Sequence, residues 1–225
     1  LTGGEPFVRK DFVNFLESLS FNDRLDEINI TTNGALISNH IEKLEALNIN
    51  SINLSIDSLH KEKFAKITRR DVFDEVFETF QKLKNSKLNL KLNVVIQAGF
   101  NTDEIIDFVE LSKENDIAVR FIEEMPFNGK GIREVKEVWN YDKIIKTINS
   151  HYEQVESLVS KKSSTSKNFK INGYKGSFGI IPAFTQALCA SNIDCASSES
   201  PAGSPPYGPS SEIGMTIFVA LGFHL

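Results

Sequence analysis

Cysteine is almost absent from this sequence of 225 residues, which contains only Cys189 and Cys195. Two cysteines exclude a disulfide-stapled scaffold, and the count fits a reducing, cytoplasmic compartment. No apolar run approaches the roughly 20 residues that a membrane span requires, so we expect no membrane association. The net charge of −5 gives no electrostatic reason to bind a polyanion, and we expect no nucleic-acid partner.

Basic residues are missing from the end of the sequence. All 25 lysines and arginines lie before residue 176, and four of the seven prolines fall between residues 201 and 209. Such a segment cannot bury enough apolar surface to offset the entropy of ordering it. We therefore expect residues 192–225 to form an aberrant, disordered tail. A shifted reading frame is one hypothesis for its origin, and it is wrong if neither alternative frame restores cysteine and arginine there.

The first 150 residues alternate between two hydrophobic periods. Five stripes have the i, i+3, i+4 spacing of amphipathic helices, and they begin at Phe12, Ile41, Phe73, Ile105 and Ile144. Four short runs rich in β-branched residues predict strands, at residues 27–30, 51–56, 88–97 and 117–122. Because strands and helices alternate without a hairpin pattern, we expect an α/β fold with parallel strands and right-handed crossovers.

Polar side chains interrupt the predicted strands at Asn29, Asn53, Asn93 and Arg120. A solid apolar core has no place for them, since each needs a polar neighbour. A closed or nearly closed barrel with a ligand in its mouth provides one. The sequence therefore predicts a barrel that binds a ligand.

Hydroxyl, amide and carboxylate groups follow the strands, within residues 31–34, 55–58, 95–97 and 123–126. Singly, these groups have ordinary interpretations: the first is typical of a turn with Gly34 in the left-handed region, and the second of a helix cap. Together, at the same end of successive strands, they favour a binding face.

After residue 150 the periodic pattern weakens. Residues 157–166 are polar and serine-rich, as in a mobile connector. The stretches at 169–171 and 178–182, with Gly173 and Gly176 between them, indicate a glycine-rich β-segment or a lid. We interpret residues 1–150 as a barrel domain with strands 2–6, and residues 151–191 as a C-terminal extension that precedes the tail.

The chain opens on Leu-Thr-Gly-Gly-Glu-Pro, residues 1–6. Neither glycine has a Cβ, so the backbone N–H groups of this turn can face a ligand at close range. A binding loop of this kind needs a strand before it. We therefore expect the chain to be a piece of a longer protein that is cut just upstream of the loop.

Six segments occur in an order and spacing that resemble one enzyme family; they are residues 1–6, 31–34, 53–59, 91–95, 120–126 and 176–182. Over roughly residues 1–191 the sequence is similar to the GTP 3′,8-cyclases, the radical S-adenosylmethionine (SAM) enzymes of molybdenum cofactor biosynthesis. Gly-Gly-Glu-Pro alone would indicate only the wider superfamily, whereas Arg-Phe-Ile-Glu-Glu-Met-Pro is far more specific. The resemblance implies a partial TIM-type (β/α)6 barrel without its first strand, followed by an irregular or β extension.

The resemblance also implies two [4Fe–4S] clusters, SAM as cofactor and GTP as substrate. One cluster splits SAM, the resulting 5′-deoxyadenosyl radical takes hydrogen from the GTP ribose, and the purine C8 is joined to the sugar. Carried over position by position, the residues that contact SAM are Gly4, Glu5, Ser55 and Met125. Those that contact GTP are Thr31 and Lys91, and the ligand of the second cluster is Cys189.

Two departures from the family pattern affect the expected activity. The three cysteines of the first cluster would lie before Leu1, and Asn192 stands where the second cluster has a cysteine. Cys195 lies at the wrong spacing to replace it. Because cluster irons need thiolates, we expect this chain alone to be inactive. The family further implies an electron donor and suggests a homodimer.

Three functional hypotheses follow. The first is a fragment of a GTP 3′,8-cyclase, which is a lyase. The second is a non-catalytic nucleotide-binding remnant, which the retained Thr31, Ser55 and Lys91 would allow. The third is a radical SAM enzyme with another substrate, which the matches at Lys91 and Cys189 disfavour.

Overall fold

The computed structural model of the chain describes residues 1–47, 49–124, 139–159 and 165–182. Its α-helices are α1 (Phe12–Ser20), α2 (Ile41–Ala46), α3 (Lys61–Thr68), α4 (Phe73–Lys84), α5 (Ile105–Glu110) and α6 (Tyr141–His151). Its strands are β1 (Asn29–Thr32), β2 (Ser51–Ser55), β3 (Asn89–Ile96), β4 (Ile117–Glu123), β5 (Val155–Ser157), β6 (Lys167–Ile171) and β7 (Ser177–Ile181). None of these helices is long and apolar enough to cross a membrane.

Three of the sequence predictions fall on residues that lie outside the described ranges. They concern the SAM contact at Met125, the cluster ligand at Cys189 and the tail over residues 192–225.

One seven-stranded sheet organises the described residues, in the order β1-β2-β3-β4-β7-β6-β5. All neighbours from β1 to β7 are parallel, whereas β6 runs antiparallel to both β7 and β5. Helices connect the parallel strands, so the predicted α/β fold is confirmed. Within the described ranges β1 and β5 form the two edges and do not meet, as expected of a partial barrel.

Burial alternates along the parallel strands. In β4 every second side chain is buried, including Ile117, Val119 and Phe121. They belong to one apolar core together with buried side chains of the helices, such as Phe80 of α4 and Phe108 of α5. The two-residue period of a strand thus gives the sheet one apolar face under the helices and one polar face.

The C-terminal extension is built into the same sheet. β7 pairs in parallel with β4, and Phe178 lies opposite Val119. Gly176 permits this close approach, because a Cβ at that position would lie 2.2 Å from the Ile117 carbonyl oxygen. Its backbone N–H donates instead to the Ser112 carbonyl at 2.9 Å. Strands from before and after residue 150 therefore belong to one sheet. The division into a barrel domain and a C-terminal extension at that residue stays a prediction.

Two tyrosines attach the extension to α5. The hydroxyls of Tyr152 and Tyr174 both donate to Glu110 Oε1, the first at 2.6 Å. These hydrogen bonds hold the pKa of the Glu110 carboxyl below its ordinary value. One carboxylate thus ties the end of α6 and the turn between β6 and β7 to the barrel helices.

Candidate functional site

Two rows of side chains cross the polar face of the sheet, because neighbouring strands are held in register. The lower row contains Thr31, Asn53, Lys91, Ala118 and Ser177. The upper row lies two residues nearer the carboxyl ends of the strands and contains Ser55, Asn93, Arg120 and Gly179. Neighbouring strands are about 4.8 Å apart, so one small ligand can contact several members of a row.

Hydrogen bonds link the two rows through Asn53. Its Nδ2 donates to Thr31 Oγ1 at 3.2 Å, and its Oδ1 accepts from Arg120 Nη1 at 3.5 Å. The second contact is at the limit of hydrogen-bond length and contributes little. The polar face is therefore only partly connected, which leaves donors and acceptors for a ligand.

Arg120 and Asn93 lie side by side in the upper row, and within the described ranges neither side chain is fully hydrogen-bonded. Burial lowers the pKa of the Arg120 guanidinium, and no carboxylate within the described ranges forms an ion pair with it. The Oδ1 atom of Asn93 is buried and has no hydrogen-bond partner among the described residues. Buried polar atoms are nearly always paired in proteins, so this pair of side chains marks a site rather than a packed core.

The opening loop lies at the carboxyl end of β1. The Leu1 carbonyl accepts from the Thr31 N–H at 3.0 Å, which places the following residues beside that strand end. Gly3 has a φ of +126°, and a Cβ on either Gly3 or Gly4 would meet nothing within 4 Å. The backbone of this loop is thus exposed to any ligand at the upper edge of the polar face.

Glu5 anchors this loop to the sheet. Its carboxylate accepts from Thr32 Oγ1 at 2.8 Å, from the Asn33 N–H at 2.7 Å and from the Phe7 N–H at 3.2 Å. All three donors are polar groups of the loop or of the end of β1. The role of Glu5 in the structure is therefore to position the two glycines.

The turn after β1 is held in place by contacts with the apolar side of the sheet and with α4. Gly34 has a φ of +82°, as the sequence predicts, and a Cβ there would lie 2.5 Å from Leu54 Cδ1. Thr79 Oγ1 donates to the Gly34 carbonyl at 2.7 Å, and Thr32 Oγ1 accepts from the Gly34 N–H at 3.1 Å. This arrangement leaves Thr31 on the polar face with its hydroxyl toward Asn53.

Asp57 and Asn101 close the edge above Ser55. Asp57 Oδ1 accepts from the Val95 N–H at 2.8 Å. Asn101 is fully buried, and its Nδ2 donates to the Asp57 carbonyl at 2.7 Å and to the Val95 carbonyl at 2.9 Å. Burial raises the pKa of the Asp57 carboxyl to about 6. The carboxylate therefore gains its charge only near neutral pH.

A second buried carboxylate, Glu104, holds the loop that follows. Its oxygens accept from Ser58 Oγ at 2.9 Å and from the Leu59 N–H at 2.7 Å, and Lys63 Nζ lies 3.1 Å from Oε1. Both oxygens of Glu104 thus have partners in the loop or on α3. It is a positioning group for the segment after Ser55.

The opposite end of the strands contains a cleft of about 260 Å³. Lys91 lines it together with the carboxylates Glu27 and Asp116 and the small polar side chains Asn29 and Ser51. Ser51 Oγ donates to Asn29 Oδ1 at 2.5 Å. Lys91 thus connects this basal cleft with the lower row.

The structure brings five of the seven predicted site residues to one face and its upper edge. Thr31 and Lys91 share the lower row, Ser55 lies in the upper row, and Gly4 and Glu5 lie in the loop at the end of β1. Sequence reasoning does not single out the roles of Asn101 and Glu104. A buried Asn or Glu in a loop is recognisable only once its partners are known.

Comparisons with known proteins identify the family of the chain. Residues 1–112 match the sequence profile described as the radical SAM superfamily, and residues 117–195 match that described as Molybdenum Cofactor Synthesis C. The chain belongs to the radical SAM superfamily. Within it, the second profile places the chain among the molybdenum cofactor biosynthesis proteins.

Curated relatives of this radical SAM chain carry matching names. It is 38% identical over 189 residues to the molybdenum cofactor biosynthesis protein moc-5 of Caenorhabditis elegans, covering 84% of this chain and 32% of the relative. It is 35% identical over 191 residues to the GTP 3′,8-cyclase of Chlorobaculum tepidum, covering 84% and 58%. The mitochondrial GTP 3′,8-cyclase of Arabidopsis thaliana is 37% identical over 191 residues, covering 84% and 49%. The chain thus spans between one third and three fifths of these relatives.

A solved structure supports the radical SAM fold. SuiB of Streptococcus suis superposes with a TM-score of 0.56 at 15% sequence identity, covering 88% of this chain and 42% of that one. The family implies SAM and iron–sulfur clusters as cofactors. The residues present do not fit a cluster, because the sequence has two cysteines and the described ranges contain no group of three His, Cys, Asp or Glu that could hold a metal.

Proposed function

We propose that this chain is the substrate-binding part of a GTP 3′,8-cyclase, a lyase that converts GTP to 3′,8-cyclo-7,8-dihydro-GTP in molybdenum cofactor biosynthesis. The observation that carries the proposal is the polar face, where Thr31 and Lys91 share one row and Ser55 lies in the next. Relatives named GTP 3′,8-cyclase support it, since they are 35–37% identical across 84% of the chain.

Lys91 suits the triphosphate of GTP. An ammonium group at the foot of a polar face is a natural partner for phosphate oxygens. Thr31 lies in the same row, two strands away from Lys91. Because neighbouring strands are about 4.8 Å apart, the backbones of the two residues are separated by about 10 Å. A nucleoside triphosphate can span that separation, so both residues can contact one GTP molecule.

The upper edge suits SAM. The open backbone of Gly3 and Gly4 leaves room for an amino-acid moiety, Glu5 fixes that loop, and Ser55 supplies a hydroxyl beside it. Met125 would complete the site from the segment after β4. SAM bound there supplies the 5′-deoxyadenosyl radical once it is cleaved.

The iron–sulfur chemistry belongs to the longer protein in this proposal. Two clusters on three cysteines each exceed the two cysteines of the sequence, although Cys189 would contribute to the second cluster. An electron donor, a homodimer and a cytoplasmic location are part of the same proposal.

GTP binding to the 225-residue chain tests the substrate assignment. Lys91→Met should weaken binding about 10-fold or more, because a hydrogen bond to a charged group contributes about 1.5–3 kcal/mol. Ligand-observed NMR titration measures such weak binding directly. Lys66→Met is the matched control, because Lys66 is exposed on α3 and should leave binding unchanged.

Equal GTP affinity in the wild type and Lys91→Met would contradict the assignment, as would a wild-type chain that binds no nucleotide. Activity is tested separately on the full-length gene product, reconstituted anaerobically with iron and sulfide. That protein should form the cyclised nucleotide, whereas the 225-residue chain should not.

A nucleotide-binding remnant is the second candidate, because both rows are retained in a sequence with only two cysteines. GTP binding by the chain, together with a full-length protein that does not turn GTP over, would favour it. A full-length protein that cleaves SAM but ignores GTP would favour a radical SAM enzyme with another substrate.

A further inference from the structure

Asn93 carries a buried acceptor that nothing in the described part of the chain satisfies. It lies in the upper row, with Ser55 on one side and Arg120 on the other. Its Oδ1 atom has no hydrogen-bond partner, although both neighbours carry donors. The Arg120 guanidinium reaches instead toward Asn53 in the row below. Neither neighbouring side chain therefore donates a hydrogen bond to Asn93 Oδ1.

An unpaired buried acceptor destabilises a folded protein, since the atom loses its water without gaining a donor. An apolar side chain of similar size would avoid that loss at this position. The neighbouring positions on the apolar face, Leu92 and Val94, are fully buried hydrophobic residues of the same strand. β3 thus has buried apolar side chains on one face, and on the other face it has an amide whose acceptor is unpaired.

The amide can reach a ligand with little rearrangement. Asn93 is only partly buried as a residue, so its amide group borders the open polar face. The χ2 torsion of asparagine has a broad energy profile, so rotation of the planar amide presents Oδ1 to the space above the sheet. A donor on a bound molecule can then satisfy it.

We propose that Asn93 is a ligand-binding residue whose Oδ1 accepts a hydrogen bond from a donor on the molecule bound at the polar face, a hydroxyl or an ammonium group. The inference rests on the proposed function. Asn93 lies beside Ser55, which is assigned to SAM, and directly above the row that is assigned to GTP. The donor is accordingly a ribose hydroxyl of the nucleotide or of SAM, or the α-ammonium group of SAM.

The test compares Asn93→Leu and Asn93→Ala with the wild-type 225-residue chain, by two measurements. Urea unfolding without ligand should show an unchanged or raised midpoint for Asn93→Leu, because an unpaired acceptor is removed. NMR titration should show affinity for GTP or for SAM weakened about 10-fold in both variants. Asn14→Leu is the control, since Asn14 is exposed on α1 and should change neither affinity.

The probes distinguish these donors. Loss confined to GTP, with 2′-deoxy-GTP or 3′-deoxy-GTP already weak on the wild type, assigns the acceptor to a ribose hydroxyl. Loss confined to SAM assigns it to a donor of SAM, and S-adenosylhomocysteine and decarboxylated or deaminated analogues of SAM then separate its α-ammonium group from its ribose hydroxyls. Unchanged affinity for both ligands, or a lowered unfolding midpoint as the only effect, would overturn the inference and leave the proposed function intact. A wild-type chain that binds neither ligand would overturn the proposed function itself.

Discussion

The two faces of one sheet differ in how completely their side chains are satisfied. On the face under the helices, Leu54, Leu92 and Phe121 are fully buried in a continuous apolar core. On the other face, counting partners among the described residues, Asn93 has an unpaired acceptor and Arg120 has one long hydrogen bond. The same strands build both faces, so the difference reflects their separate tasks. One face stabilises the fold, and the other is the face that we propose binds the ligand.

This comparison predicts that substitutions on the two faces separate stability from binding. The largest expected effect is that of Phe121→Ala, which leaves a cavity and should lower the free energy of unfolding by about 3–5 kcal/mol. Arg120→Met, one residue earlier on the opposite face, should change it by less than about 1 kcal/mol, because a partly desolvated charge is removed. Urea denaturation of both variants measures the contrast. Equal losses would show that the faces are not separate.

Substitution of Asp57 tests whether the ionised carboxylate at the edge of the polar face destabilises the folded protein at neutral pH. Its carboxyl has a pKa raised from 3.8 to about 6 by burial. A raised pKa means that the folded state holds the proton more tightly, so stability falls as pH rises from about 4 to about 6. Relative to wild type, Asp57→Asn should gain up to about 3 kcal/mol at pH 7.5 and almost nothing below pH 4.

Unfolding of wild type and Asp57→Asn across pH 3.5–8 isolates this group, because the other carboxylates are common to both proteins. The asparagine retains an oxygen for the Val95 N–H. A difference between the two proteins that does not change with pH would contradict the prediction.

Substitution of Gly34, in the turn after β1, tests how tightly this turn packs against Leu54 of the apolar core. Gly34→Ala combines a φ of +82° with a Cβ only 2.5 Å from Leu54 Cδ1 and should cost roughly 2 kcal/mol. Gly173→Ala has a similar φ of +84° but open space around it, and should cost about 1 kcal/mol. Thermal unfolding of both variants measures the difference. The same cost in both would mean that Leu54 moves freely.

The smallest expected change in stability is that of Thr31→Val on the polar face. The substitution removes the acceptor of one partly exposed hydrogen bond from Asn53, so the free energy of unfolding should change by less than about 1 kcal/mol. GTP affinity should nevertheless fall, because the hydroxyl faces the proposed site. Denaturation and NMR titration on the same sample check both statements. A large loss of stability without loss of affinity would give Thr31 a structural role only.

Helical periodicity in the sequence was sufficient to predict each helix that buries a continuous stripe of apolar side chains. The predicted stripes correspond to α1, α2, α4, α5 and α6. The same criterion does not reveal α3, which buries only Phe64 and is otherwise rich in charged residues. Its position depends on contacts with its neighbours, including the ion pair between Lys63 and Glu104. A pattern of apolar residues carries no information about such a helix.

The neighbour of β4 could not be predicted from local sequence. Residues 178–182 are recognisable as a β-segment, but their pairing with β4 depends on the clearance at Gly176, which is a contact between distant parts of the chain. Gly173 has a positive φ in the turn between the antiparallel strands β6 and β7. The polar positions of the strands were predictable, whereas the unpaired state of Asn93 follows only from the register.

Glu5 makes the opening loop and the end of β1 respond as one unit. A molecule that rests against Gly3 and Gly4 restrains the same carboxylate that holds the Asn33 N–H, which is 28 residues away in sequence. Occupancy of the loop should therefore slow deuterium uptake at Asn33 without any direct contact. That single amide would then report, from the far side of the loop, whether the site is filled.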